Sequence, residues 1–127
     1  MNYSSIPEFD RELKGFAKKW RSIPSDLEVA KKTLPLLFEQ QGDESLDTLQ
    51  GRRDAFFNNK RATILSTRED GTQVIKMRLD CASLGSKDIV RLVFVFILSH
   101  NSLTFIELYS KNDKQREDAT RIRQFIK

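Results

Sequence analysis

Residues 91–109, Arg91-Leu92-Val93-Phe94-Val95-Phe96-Ile97-Leu98-Ser99-His100-Asn101-Ser102-Leu103-Thr104-Phe105-Ile106-Glu107-Leu108-Tyr109, decide the fold. After its first residue the segment Arg91 to Leu98 is apolar on both sides of a two-residue period, which predicts a central strand. His100-Asn101-Ser102 breaks the run as a turn, and Leu103 to Tyr109 returns beside it as a hairpin. Upstream, Asp70-Gly71 marks another turn. Val74 to Asp80 then alternates, with Ile75, Met77 and Leu79 on one side and Val74, Lys76, Arg78 and Asp80 on the other. Downstream, past Lys111-Asn112-Asp113, the spacing of Ala119, Ile122, Phe125 and Ile126 predicts a last helix.

The N-terminal third reads as helix. Ser5 and Glu8 have capping-box spacing, and Pro7 is tolerated in a first turn because its missing N–H has no partner there. Phe9, Leu13, Phe16, Ala17 and Trp20 form one apolar stripe. A second helix begins near Pro24, capped by Ser22 or Ser25, with Leu27, Ala30, Leu34, Leu37 and Phe38 as its stripe and Pro35 to kink or end it. The short Arg21-Ser22-Ile23 joint predicts two antiparallel neighbours. Gln40 to Ser45 is a polar loop, Leu46 to Phe57 reads as a short helical piece, and Lys60 to Thr67 as a strand or an extended connection. Asn2 to Ser5 is too short to assign by itself, though it could add an edge strand. The expected architecture is α+β: an N-terminal helical hairpin packed on a small antiparallel β-sheet, with a C-terminal helix and one sheet face left free.

The 127 residues suit a single domain over 1–127, with 39% apolar and 31% charged residues, as in a soluble globular chain. The longest strongly apolar run, Leu92 to Leu98, is too short to span a membrane. The start has neither a basic nor an apolar signal segment, and the lone Cys81 excludes an intrachain disulfide, so a reducing cytoplasmic setting is expected. The net charge of +4 is uneven. Residues 1–50 hold 7 Lys/Arg against 9 Asp/Glu, whereas residues 51–127 hold 15 against 9. A basic C-terminal half suits a domain with one side turned to a polyanion.

Most catalytic patterns are missing: there is no phosphate-binding glycine loop, dinucleotide motif or nucleophile elbow. His100, the single histidine, falls in a turn, and the carboxylates are scattered. Neither a metal nor a cofactor is expected. What remains is a cationic set on sheet elements. Lys76 and Arg78 share a strand face, Arg91 opens the next strand, and Lys111 follows the last. A bland alternative pairs Lys76 and Arg78 with Glu107 or Asp80 as an ordinary solvated face.

Three segments carry a resemblance: Val74-Ile75-Lys76-Met77-Arg78-Leu79, Val90-Arg91-Leu92-Val93-Phe94-Val95-Phe96, and Phe105 to Lys114 with Tyr109-Ser110-Lys111-Asn112-Asp113-Lys114 at its end. In this order they resemble the C-terminal half of RelE/ParE-type toxins of type II toxin–antitoxin systems. Phe9 to Lys14 and Lys18 to Leu27, with the Ile23-Pro24 hinge, resemble that family's helical hairpin. Ile89 and Val90 stand where Gly-Tyr is common, Phe94 where tyrosine is common, and residues 42–66 are longer than the usual connection and read as an insertion.

The resemblance implies an mRNA endoribonuclease that acts on translated mRNA at the ribosome without a metal, the RNA's 2′-hydroxyl attacking the adjacent phosphate. It implies catalytic roles for Lys76, Arg78, Arg91 and Tyr109. Lys76 would carry protons, Arg78 and Arg91 would clamp the phosphate, and Tyr109 would stack on a base or donate a proton. Lys87, Lys111 and Lys114 would hold the RNA backbone. It also implies a cognate antitoxin as partner, folding onto the hairpin or over Arg91. A ParE-like inhibitor of DNA gyrase and a non-catalytic RNA-binding or decayed relative remain the alternatives.

Overall fold

A computed structural model describes residues 1–57 and 61–127. The chain runs β1 (Asn2–Ser5), α1 (Pro7–Lys19), α2 (Ile23–Thr33), α3 (Pro35–Phe38), α4 (Leu46–Phe57), β2 (Ala62–Thr67), β3 (Gln73–Arg78), β4 (Val90–Ile97), β5 (Ser102–Ser110) and α5 (Ala119–Ile126), with 3₁₀ turns at Ala82–Leu84 and Leu98–His100. The fold is α+β, as the element order predicted. Lys60, where the reading of a strand or an extended connection begins, lies outside the described residues, and β2 forms from Ala62 onward.

The sheet has five strands in the order β1-β5-β4-β3-β2. It is mixed rather than purely antiparallel, because β1 lies parallel to β5 with Tyr3 opposite Leu103. The other neighbours are antiparallel. β4 is the middle strand, and its two-sided apolar character follows from its position. Val90, Leu92, Phe94 and Phe96 enter the main core under α1 and α2, while Val93 and Val95 enter a second, smaller core. Rings dominate the main core: Phe9 stacks on Phe105 at 5.2 Å and Phe38 on Phe96 at 4.3 Å. Burying each such side chain is worth about 2–3 kcal/mol.

The second core corrects the expectation of a free sheet face. α5 packs Ile122, with Phe125 and Ile126 beside it, against Val74, Val93, Val95, Ile106 and Tyr109. The physical reason is already in β4, since Val93 and Val95 on that face need a cover. A bulge between Val93 and Phe94 sets Val93 opposite Glu107 and Phe94 opposite Phe105, leaving Ile106 as the extra residue. The second face is therefore covered by α5 and, ahead of it, by the segment that carries Lys114 and Glu117.

Caps and turns are local. No capping box forms at Ser5: Ile6 is the N-cap of α1, and the Ser5 hydroxyl donates to Asp10 at 2.6 Å. Ser22 is the N-cap of α2, and Pro35 begins α3 where α2 has ended. Gly71, with φ +89°, closes the β2–β3 turn, where Asp70 accepts from the Thr72 N–H at 2.9 Å. No helix among the described residues is long and apolar enough to cross a membrane.

Candidate nucleic-acid interface

Strand register assembles the cations. Arg78 lies opposite Arg91, and Arg91 opposite Tyr109; two residues along, Lys76 lies opposite Val93 and Val93 opposite Glu107. Directly opposed side chains on one face start about 4.5–5.5 Å apart. Period-two alternation thus brings Lys76, Arg78, Arg91 and Tyr109 to one region of the second face, beside α5.

None of the three cations is solitary. The Asp88 carboxylate, in the loop before β4, bridges the guanidiniums of Arg78 at 2.8 Å and Arg91 at 3.2 Å. Lys76 donates to Glu117 at 3.1 Å. Lys114 pairs with Glu107 and holds its ammonium 5.3 Å from the Tyr109 ring centroid. The acids expected to face the cations, Glu107 and Asp80, do so elsewhere: Asp80 pairs with Arg61 at 2.7 Å. Exposed pairs of this kind contribute little to stability.

Glu107 is fully buried on β5, where it accepts the Asp118 N–H at 2.7 Å as well as pairing with Lys114. Asp118 in turn caps α5 by accepting the Arg121 N–H at 3.0 Å. Arg121 bridges Glu12 of α1 at 2.8 Å and the Ile106 carbonyl at 3.0 Å. Its hydrogen bond to Glu12 raises its pKa further above the arginine range. This buried carboxylate fixes the segment 114–121 that walls the site.

Burial pushes the Tyr109 hydroxyl up to about 12, and the nearby Glu117 and Glu107 carboxylates push the same way against Arg91. Tyr109 is therefore a phenol at neutral pH. With 3% exposure and Lys114 over its ring, it offers no free face to a base, which removes the stacking role expected for it. Its hydroxyl is buried and has no hydrogen-bond partner among the described residues. Burial pushes Glu117 up, but its own backbone N–H and Lys76 outweigh that and hold it below the usual carboxylate range.

The three lysines expected to hold backbone lie around this region. Lys111 follows β5, its N–H bonded to the Ile89 carbonyl at 2.7 Å, and Lys87 is exposed in the β3–β4 loop. Lys114 is committed to Glu107 and Tyr109. Residue patterning missed Asp88, Glu117 and the burial of Glu107. Asp88 carried a weak signal, three residues before Arg91; Glu117 lies in an irregular segment with no period to read. Among the described residues no group of three or more His, Cys, Asp or Glu side chains could hold a metal.

A groove of about 600 Å³ lies on the other side of β3, between α2, α3 and the β3–β4 loop. Val29 and Leu36, exposed by 61% and 46%, contribute to its walls, and Arg78 reaches its rim. No protein-family model, curated protein or solved structure matches this chain, so the reading of the site rests on these residues and their geometry.

Proposed function

We propose that the protein is the toxin of a type II toxin–antitoxin pair, an endoribonuclease that grips an mRNA phosphate between Arg78 and Arg91. One observation carries this reading: the two guanidiniums converge on a single carboxylate, Asp88. A carboxylate that meets two guanidiniums, each through one Nη1, supports the reading that an anion of the same charge sign can be held there. Asp88 is half-exposed on a loop, so RNA can displace it.

The remaining groups supply the other needs of the reaction. The 2′-oxygen forms a bond to phosphorus, the bond from phosphorus to the 5′-oxygen breaks, and a 2′,3′-cyclic phosphate is left. Glu117, held below the usual carboxylate range, is the carboxylate we assign to accept the 2′-hydroxyl proton. Lys76, 3.1 Å away, is the donor to the departing 5′-oxygen. Arg78 and Arg91 stabilise the charge that grows on the phosphorane, usually the largest catalytic contribution.

The same ion pairs favour a second reading, in which Lys76, Arg78 and Arg91 are structural and the chain is a non-catalytic RNA-binding relative. Induction of the chain in a bacterium, followed by primer extension on abundant transcripts, separates the two. New 5′ ends within minutes, absent in Arg91→Ala, are expected. Uncleaved messages with the wild-type chain, or unchanged cleavage in Arg91→Ala, would remove the nuclease reading.

An antitoxin is the partner this reading requires, and the apolar groove beside α2 offers the burial that a segment folding on contact needs. Copurification with the product of the adjacent small gene, and loss of that binding in Val29→Asp, is the expected result. Separable proteins and unrelieved growth arrest would remove the partner.

A further inference from the structure

Helix α1 carries a second cationic surface that the site does not use. Its acids fill the first half and each is engaged: Glu8 with Arg11 at 3.7 Å, Asp10 with the Ser5 hydroxyl at 2.6 Å, Glu12 with Arg121 at 2.8 Å. Lys14, Lys18 and, just past the helix, Arg21 continue the outward stripe that Arg11 begins. All are exposed, and these three have no acidic partner among the described residues. The helix dipole accounts for Lys18 in the last turn. It does not account for Lys14, which stands four residues from Lys18 in a like-charge spacing that weakens the helix. Gly15 lies in the middle of this face, and a Cβ there would meet nothing within 4 Å. The backbone is therefore bare between the cations.

The stripe fits one kind of occupant. The apolar side of α1, including Phe9, Leu13, Phe16 and Trp20, is packed into the main core, so the outer face offers nothing to insert into lipid. The Trp20 ring stacks on Phe16 at 5.2 Å, leaving no aromatic platform for unpaired bases. From Arg11 to Lys18 the stripe covers about 10 Å of helix, a length over which a duplex presents several phosphates. The α1–α2 joint is tied to the β3–β4 loop by two hydrogen bonds, Ser22 N–H to Ser83 at 2.9 Å and Ser83 N–H to Ser22 at 2.8 Å. That loop continues to Lys87 and to Asp88 between Arg78 and Arg91.

We propose that the outer face of α1, through Arg11, Lys14, Lys18 and Arg21, is a second RNA-binding surface that grips the phosphate backbone of a double-stranded stem. This shares with the reading above the premise that RNA is the partner, and it deepens it: the stem docks on α1 while an unpaired strand enters at Arg91. Duplex RNA is recognised mainly by its shape and backbone, which a convex basic helix can follow.

The test uses the full chain, the triple variant Lys14→Gln/Lys18→Gln/Arg21→Gln and the double variant Arg78→Gln/Arg91→Gln, with fluorescence anisotropy on a labelled RNA duplex of about 16 base pairs and on an unstructured single strand. The triple variant is expected to lose duplex affinity about tenfold or more and to flatten the salt dependence by about two to three counterions, while keeping single-strand affinity. The double variant is expected to do the opposite. Unchanged duplex binding in the triple variant overturns the α1 surface and leaves the Arg91 reading standing. A single strand that binds equally well to the double variant removes the Arg91 reading alone. Binding of the wild-type chain to phosphatidylserine vesicles that the triple variant loses, with duplex binding unaffected, would replace RNA by an anionic membrane.

Discussion

Asp88 is the residue on which the site turns, because it neutralises the two arginines that the proposed function assigns to a phosphate. Replacing it by asparagine keeps the size and removes the competing charge. Asp88→Asn should therefore bind single-stranded RNA more tightly, by about three- to tenfold at low ionic strength, with the gain shrinking as salt is added. Unchanged or weaker binding in an anisotropy titration would show that the arginines do not meet phosphate. Tyr109 gives a second handle at this scale. Its buried hydroxyl has no partner among the described residues, so Tyr109→Phe removes an unsatisfied group and should be neutral or slightly stabilising. Absorbance titration should place its ionisation at about pH 12, from burial and the two carboxylates beside it. A loss of RNA cleavage in Tyr109→Phe without a loss of stability would assign the hydroxyl to the reaction.

At the scale of elements, the question is what holds the segment before α5 over the second sheet face. Glu117 meets Lys76 there, and its pKa is lowered in the folded chain. A carboxyl group depressed by folding stabilises above its unfolded pKa, and that contribution disappears as pH falls through the folded value. With solvent nearby the amount is at most about 1 kcal/mol. Urea melts between pH 6 and pH 3 should show a steeper loss of stability in the wild-type chain than in Glu117→Gln. Parallel curves would mean that the ion pair does not hold the segment.

The elements also show where reading the residues works. The strand faces were legible because a period of two leaves little choice: Lys76 and Arg78 alternate with Ile75 and Met77 whatever else the chain does. The acids were not legible, because Asp88 and Glu117 sit in irregular segments where no period says which way a side chain points. β1 is four residues long and pairs with partners about a hundred positions away, so only tertiary contact reveals its parallel direction. The cover on the second face was available in principle. Val93 and Val95 called for an apolar partner, and Ile122, Phe125 and Ile126 of α5 are the stripe that supplies it.

For the whole molecule, two cores share the strands β3, β4 and β5, and β4 shows it most clearly. Leu92, Phe94 and Phe96 of β4 face α1 and α2, while Val93 and Val95 face α5. Neither core can lose its packing without loosening the strand that floors the other, so the chain should unfold in one cooperative step. Two truncations test this from opposite sides. Phe94→Ala empties a fully buried position among Phe38 and Phe105 and should cost about 3–5 kcal/mol. Ile122→Ala, at a position 8% exposed on a terminal helix, should cost less, about 2 kcal/mol. Both should lower the midpoint of the same single transition, with far-UV and near-UV signals coincident. A separate early transition in Ile122→Ala, with the near-UV signal of the main core intact, would mean that α5 melts independently. The cationic site, walled by the segment that leads into α5, would then open without global unfolding.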